Sequence, residues 1–270
     1  MIAFRFIVGL TLSMCFIACT QVSNNQDNTT RGDGGENQKS SSKLRVAAAA
    51  NLRFVLKDLK ADFEQINNEE IEVIYASSGK LCSRISNGAP FDVFLSANMK
   101  FPRVLVKEDL TANEPVVYAR GALILWSTTV PDFKGGMKRM LDDDIDKIAV
   151  ATDKNAPYGE AALQALKSSG IYDKIVSKLV YGESVSQVNQ YVMGESVAIG
   201  ITNKSVVFGK LQGKGIWFDI DTSLYTPIDQ GIVITKYGAQ NHPTQSQLLQ
   251  DYLFSESAQE IFTKYGYLAP

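Results

Sequence analysis

Residues 44–97 read LRVAAAANLRFVLKDLKADFEQINNEEIEVIYASSGKLCSRISNGAPFDVFLSA, and this stretch decides the fold. Leu44 to Ala50 is a short apolar run of strand length. From Leu52 the period changes: Leu52, Val55, Leu56, Leu59, Phe63 and Ile66 recur at helical spacing. Ile71 to Tyr75 is β-branched and strand-like. Ser78 opens a second helical stretch, with Leu81 and Ile85 on one face and Asn87-Gly88 ending it. Phe91 to Leu95 is a third strand. Strand, helix, strand, helix, strand predicts a mostly parallel α/β sheet.

Further along, Val116 to Ala119 and Ala122 to Trp126 are two extended runs around Arg120-Gly121, read as a crossover into a second lobe. Ile148 to Thr152, a Pro157–Leu166 helix, Lys178 to Tyr181, a Val185–Val192 helix and Val197 to Ile201 repeat the alternation. Gly231 to Thr235 is another strand, with two helical stretches after it. Two α/β halves joined by two extended crossovers suggest a two-lobe clamp, and ligands of such sheets sit outside the carboxyl ends of the strands. The expected division is 43–120 with 229–270 as lobe 1 and 121–228 as lobe 2.

The chain has 270 residues, 45% hydrophobic and 21% charged, with a net charge of −2. That is ordinary globular composition, with enough apolar content for a core. No overall basic field argues for a nucleic-acid partner.

The first 18 residues read as an export signal: Arg5 lies in a short basic region and Phe6 to Ala18 is largely apolar. Phe16-Ile17-Ala18-Cys19 resembles a bacterial lipobox, with Phe16 where Leu, Val or Ile is usual. The resemblance implies cleavage before Cys19 and lipidation of that cysteine, hence a membrane anchor. Residues 19–42 are almost devoid of apolar side chains and read as a disordered tether. Of three cysteines, Cys15 leaves with the signal and Cys19 is lipidated. Cys82 then stands alone as a small buried hydrophobe, so no disulfide framework is expected.

Four strand-to-helix junctions place a small polar residue or a proline at a helix start. They are Ala48 to Leu52, Ala76 to Leu81, Asn155 to Gly159 and Gly182 to Val185. Helix N-termini carry unpaired N–H groups and a partial positive charge, so they attract anions. Asn51 reads as an N-cap. Ser77 and Ser78 offer hydroxyls, and Gly79 permits close approach. Pro157 at the first helical position leaves the Tyr158 N–H free. Ser184-Val185-Ser186-Gln187 is a capping-box pattern that starts a helix at Val185. Four ordinary caps would show the same pattern; brought together by the fold, they would form an anion pocket without lysine or arginine.

Enzyme signatures are missing. There is no nucleophile elbow, P-loop, dinucleotide fingerprint or zinc spacing, and the one histidine, His242, sits in Asn-His-Pro. A lipid-anchored hydrolase would need a nucleophile–base pair that the sequence does not display. Asp142-Asp143-Asp144 with Asp146 lacks EF-hand spacing and reads as a solvated helix end or loop. Trp126 and Trp217 follow apolar runs and are expected in the core or at a domain edge.

Ala-Ala-Ala-Asn51-Leu after the first strand, Ala76-Ser-Ser-Gly-Lys-Leu81 after the second, and Asn87 to Ala97 resemble the periplasmic molybdate-binding proteins of ABC importers. Gly121 to Ser127, Ala156-Pro-Tyr-Gly159 and the ending Tyr265 to Pro270 add to the resemblance, which spans Lys43 to Pro270. It implies a type II periplasmic-binding-protein fold, in which two α/β lobes joined by two crossover strands close on tetrahedral molybdate or tungstate. By position it implies oxyanion contacts from Asn51 and Ser78 in one lobe. Tyr158 and Val185 would contribute from the other, chiefly through backbone N–H groups. Ala50, Ser77 and Asn203 are further candidates. Some members use a tyrosine after the strand that here ends Ile199-Gly200-Ile201; this chain has Thr202-Asn203, and Tyr158 or Asn203 is expected to take that place. The resemblance further implies an ABC permease as partner, no cofactor, no catalysis and a monomer. Sulfate and phosphate remain open as alternative cargo.

Overall fold

The computed structural model describes residues 43–270. The export signal, Cys19 and the tether expected in the first 42 residues lie outside the described residues. In chain order the elements are β1 (Leu44–Ala49), α1 (Val55–Asn67), β2 (Ile71–Ala76), α2 (Ser78–Ser86), β3 (Val93–Ser96), α3 (Lys100–Lys107) and β4 (Val116–Gly121). β5 (Leu123–Ser127), β6 (Ile148–Ala151), α4 (Pro157–Ser168), the short α5 (Tyr172–Ile175), β7 (Leu179–Gly182), α6 (Val185–Met193) and β8 (Ile199–Asn203) follow. β9 (Ile216–Asp219), β10 (Ile228–Ile234), α7 (Lys236–Asn241), α8 (Pro243–Leu253) and α9 (Glu256–Lys264) complete the chain.

The strands form two five-stranded sheets with the orders β2-β1-β3-β10-β4 and β7-β6-β8-β5-β9. The two orders share one plan. Each has three parallel strands, β2-β1-β3 or β7-β6-β8, flanked by an antiparallel strand that arrives from across the crossover. β10 returns after the whole second sheet has been built, and pairs with both β3 and β4. Only Ala122 separates β4 of the first sheet from β5 of the second. Ile220 to Pro227 carries the chain back.

The central strands are apolar on both faces because helices cover both, the ordinary state of parallel sheets. Val46, Ala47 and Ala48 of β1 and Ile148, Ala149 and Val150 of β6 are fully buried. On α1, Val55, Leu56, Leu59 and Phe63 face this core while Ile66 at the helix end is exposed. Each buried Val, Leu or Phe contributes about 1.5–3 kcal/mol relative to exposure. Trp126 is fully buried, whereas Trp217 lies half-exposed on the edge strand β9. Cys82 is a buried free thiol, with burial pushing its pKa up to about 11.

One local expectation needs correction. Asn51 does not cap α1: it lies inside a 3-10 turn, Ala50–Arg53, and α1 begins at Val55 with no side-chain cap. The Asn51 side chain is instead oriented by its Nδ2, which donates to Gln230 and Tyr267, and its Oδ1, the atom that would cap, has no partner among the described residues.

Candidate functional site

The carboxyl ends of five of the six parallel strands converge on one small cavity. It is lined by Ala49, Ala50 and Asn51 after β1, Ser77 and Ser78 after β2, and Ala97 after β3. Ala156, Pro157 and Tyr158 after β6, and Ser184 and Val185 after β7, close the other side. About 10 Å³ is open to the centre of a water-sized sphere, so the walls already stand close together. No lining residue is charged.

What the walls present is a set of neutral donors. Ser78 is fully buried at the first position of α2, and its Oγ accepts the Ala97 N–H at 2.9 Å. Its own O–H is therefore left to donate. Ser77 Oγ is buried without a partner among the described residues. Ser77 and Ser184 sit at the N-cap positions of α2 and α6, yet neither side chain caps its helix. The Gln187 Oε1 instead accepts the Glu183 N–H at 2.7 Å, so the capping-box pattern starts α6 at Val185 with shifted partners. The Tyr158 N–H follows Pro157 at the start of α4, and that of Val185 starts α6. Neither has a backbone acceptor among the described residues. Three helices of nine, twelve and nine residues thus point their positive ends at one spot.

The two sides of the cavity touch. Gly79 N–H donates to Asn155 O at 3.0 Å, and Ser186 Oγ donates to Ala50 O at 3.3 Å. Lys80 pairs with Glu183, and Lys100 stands 3.8 Å from Glu160. Gly121 is needed where the first sheet hands over to the second, since a Cβ there would lie 1.9 Å from the Tyr158 hydroxyl.

Behind the cavity lies a buried polar network centred on Asn51. Its Nδ2 donates to Gln230 Oε1 and to the Tyr267 hydroxyl, both at 2.9 Å. Its backbone carbonyl accepts from Ser205 Oγ at 3.0 Å, Tyr267 OH at 3.1 Å and Asn203 Nδ2 at 3.4 Å. Both amide N–H bonds are committed inside the protein, so the donor Asn51 can offer an anion is its backbone N–H. Burial drives the Tyr158 phenol well above its ordinary range and pushes Tyr267 up to about 12, so both stay protonated and neutral.

The structure therefore brings Asn51, Ser78, Ala50 and Ser77 from one side and Tyr158 and Val185 from the other to the wall of one cavity. Asn203 is not on that wall. Its amide is used in the network behind, against Ser205 Oγ at 2.6 Å and Asn51 O. The sequence reading missed Ala97 and the side chain of Ser184 on the wall, and Gln230, Ser205 and Tyr267 behind it. Gln230 stands one residue before the apolar run Gly231 to Thr235, and its full burial in β10 leaves no mark on the local sequence. Two of the four carboxylates of the acidic run are paired, with Arg139 forking onto Asp144 and also bonding Asp142. Among the described residues no cluster could hold a metal ion.

Residues 44–268 match the family model of the bacterial extracellular solute-binding proteins. The molybdate-binding protein ModA of Azotobacter vinelandii is 37% identical over 228 residues, 83% of this chain and 89% of that protein. ModA of Rhodobacter capsulatus is 34% identical over 226 residues, 83% of this chain and 87% of that one. The solved periplasmic molybdate-binding protein of Azotobacter vinelandii superposes with a TM-score of 0.79 at 27% identity, covering 84% of this chain and all of that one. Two sheets of shared strand order, a neutral cavity at their facing carboxyl ends and a match across nearly all described residues have one consistent reading: the chain belongs to the family of bacterial extracellular solute-binding proteins.

Proposed function

We propose that this protein is the substrate-binding component of an ABC importer, and that it captures molybdate or tungstate outside the cytoplasmic membrane and delivers it to the permease. The observation that carries this reading is the uncharged, donor-lined cavity where three helix N-termini meet. A tetrahedral dianion has only acceptor oxygens, so it needs donors on every side and tolerates no buried carboxylate. The contacts assigned are the Ser78 and Ser77 hydroxyls and the backbone N–H groups of Asn51, Tyr158 and Val185, with Ala50 beside them. Asn203 supports the site from behind. The names of the Azotobacter and Rhodobacter relatives favour molybdate among the oxyanions.

The two lobes of the clamp are residues 43–120 with 229–270, and residues 121–228. They close by hinging at the two crossovers, and closure creates the face that the permease reads. Neutral donors suit a carrier, since a strong ion pair would slow release. Molybdate and sulfate carry the same charge and shape, so size discriminates between them. The lipobox-like segment supports lipidation at Cys19, a flexible tether over 19–42, and action as a membrane-anchored monomer without cofactor or catalysis.

Calorimetric titration of the purified protein with molybdate, tungstate, sulfate and phosphate tests the reading. The first two are expected to bind tightly while sulfate stays silent. Binding of sulfate or phosphate instead keeps the clamp and changes the cargo; silence with all four overturns the reading.

A further inference from the structure

We infer that Gln230 and Tyr267, neither of which lines the cavity, are positioning residues that set the affinity of the site by holding Asn51; this rests on the oxyanion reading above. Hydrogen-bond logic fixes the orientation of the pair. Gln230 Nε2 faces two carbonyls, Ile228 O at 3.2 Å and Ala97 O at 3.4 Å. A carbonyl accepts only from a donor, so the other end of the amide, Oε1, must turn to Asn51. Asn51 must then answer with Nδ2, as it does at 2.9 Å. Tyr267 takes the second N–H of that amide and returns its own proton to the carbonyl of the same residue. Side chain and backbone of Asn51 are thus gripped at once.

Three further features point the same way. The pairing of β10 with β4 shifts register between Gln230 and Gly231, and such bulges re-aim side chains next to functional sites. Gly121 leaves room for the Gln230 amide, since a Cβ there would lie 3.0 Å from its Nε2. The last residues of the chain are tied to the crossover: Arg120 and Leu268 exchange both backbone hydrogen bonds, which holds Tyr267 against Asn51. Through Ala97 and Asn51, Gln230 braces two parts of the cavity wall that come from different strands. The site thus depends on residues 179 and 216 positions from Asn51 in sequence.

The test is a double-mutant cycle on the molybdate Kd, measured on the wild type, Tyr267→Phe, Gln230→Met, Asn51→Ala and the two doubles with Asn51→Ala. Each of the first two variants is expected to weaken binding about tenfold, the effect of one buried hydrogen bond on a charged ligand's cradle. In the Asn51→Ala background most of the Gln230→Met loss should vanish, because the amide that Gln230 grips is gone, while the Tyr267→Phe loss should vanish only in part, because alanine keeps the backbone carbonyl to which Tyr267 donates. A purely structural role would instead multiply with the Asn51→Ala effect. Melting of the ligand-free variants identifies any that fail to fold, and the cycle then rests on the other pair. Unchanged Kd in both single variants, or losses that multiply fully with Asn51→Ala, overturns the inference while leaving the oxyanion reading intact. A wild type that binds none of molybdate, tungstate, sulfate and phosphate overturns the reading and the inference with it.

Discussion

Ser78 accepts the Ala97 N–H and keeps a proton to give, so it has two roles that one substitution removes. Ser78→Ala should weaken molybdate binding by about 1–3 kcal/mol, the value of a hydrogen bond to a charged group. It should also lower the melting temperature of the ligand-free protein, because the Ala97 N–H loses its acceptor. Titration and a melt on the same sample separate the two effects; unchanged affinity removes Ser78 from the site. Residues of this kind were legible because their signals are local. A serine before a helical run and a proline at the first helical position announce a helix start by themselves, and Ser78, Tyr158 and Val185 stand at such starts. The role of Asn51 was only half legible. Its position after β1 was visible, but its partners are Gln230 and Tyr267, and no short-range pattern can report them. Asn203 misled for the same reason: a polar residue at a strand end looks like a ligand until its own partners are known.

The start of α2 shows how an element is shaped by what it meets. Gly79 lies inside the helix with ordinary backbone angles, where alanine is intrinsically better by about 1 kcal/mol. A Cβ there would sit 2.8 Å from Asn155 Oδ1 and 2.9 Å from Asn155 Cα, across the contact between the two sides of the cavity. On the proposed clamp motion, in which the ligand-free lobes part, Gly79→Ala should therefore hold or raise the melting temperature of the ligand-free protein while weakening molybdate binding, since the penalty falls on the closed arrangement. Equal affinity would show that the Asn155 loop gives way. At this scale the sequence was readable wherever periodicity is strong, and strands β1, β2, β3, β6 and β8 lie where the apolar runs placed them. The 3-10 turn before α1 was not, because the helical spacing from Leu52 continues across it. The place of β10 between β3 and β4 was not either, since its pairing closes a loop of more than a hundred residues and leaves no mark on the local pattern.

On the oxyanion reading, the molecule as a whole holds an anion with a net charge of −2 and with no charged residue on the cavity wall. Its field is local, made of helix ends and hydroxyls, and this determines how binding responds to pH. The tyrosines beside Asn51 cannot ionise near neutrality: burial raises Tyr158 well above 10.0 and Tyr267 from 10.0 to about 12. No group of the site then changes charge between about pH 6 and pH 9, where ordinary carboxylates are ionised and ordinary lysines and tyrosines protonated. Molybdate affinity should be flat across that interval. The sign reverses the picture at the alkaline end. A buried tyrosine whose folded pKa exceeds its unfolded value contributes stability that is complete below about pH 10. That contribution is lost as pH rises towards about 12, because the unfolded chain releases the proton first. Melting temperature should thus fall from about pH 10 upward, and Tyr267→Phe should lessen that fall without abolishing it, since burial also raises Tyr118, Tyr158 and Tyr265, while still binding molybdate more weakly than the wild type at neutral pH. Melts and titrations of both proteins along one pH series check this. A step in affinity near neutrality would mean that a titrating group contacts the oxyanion after all, and that the neutral cradle is the wrong description of the site.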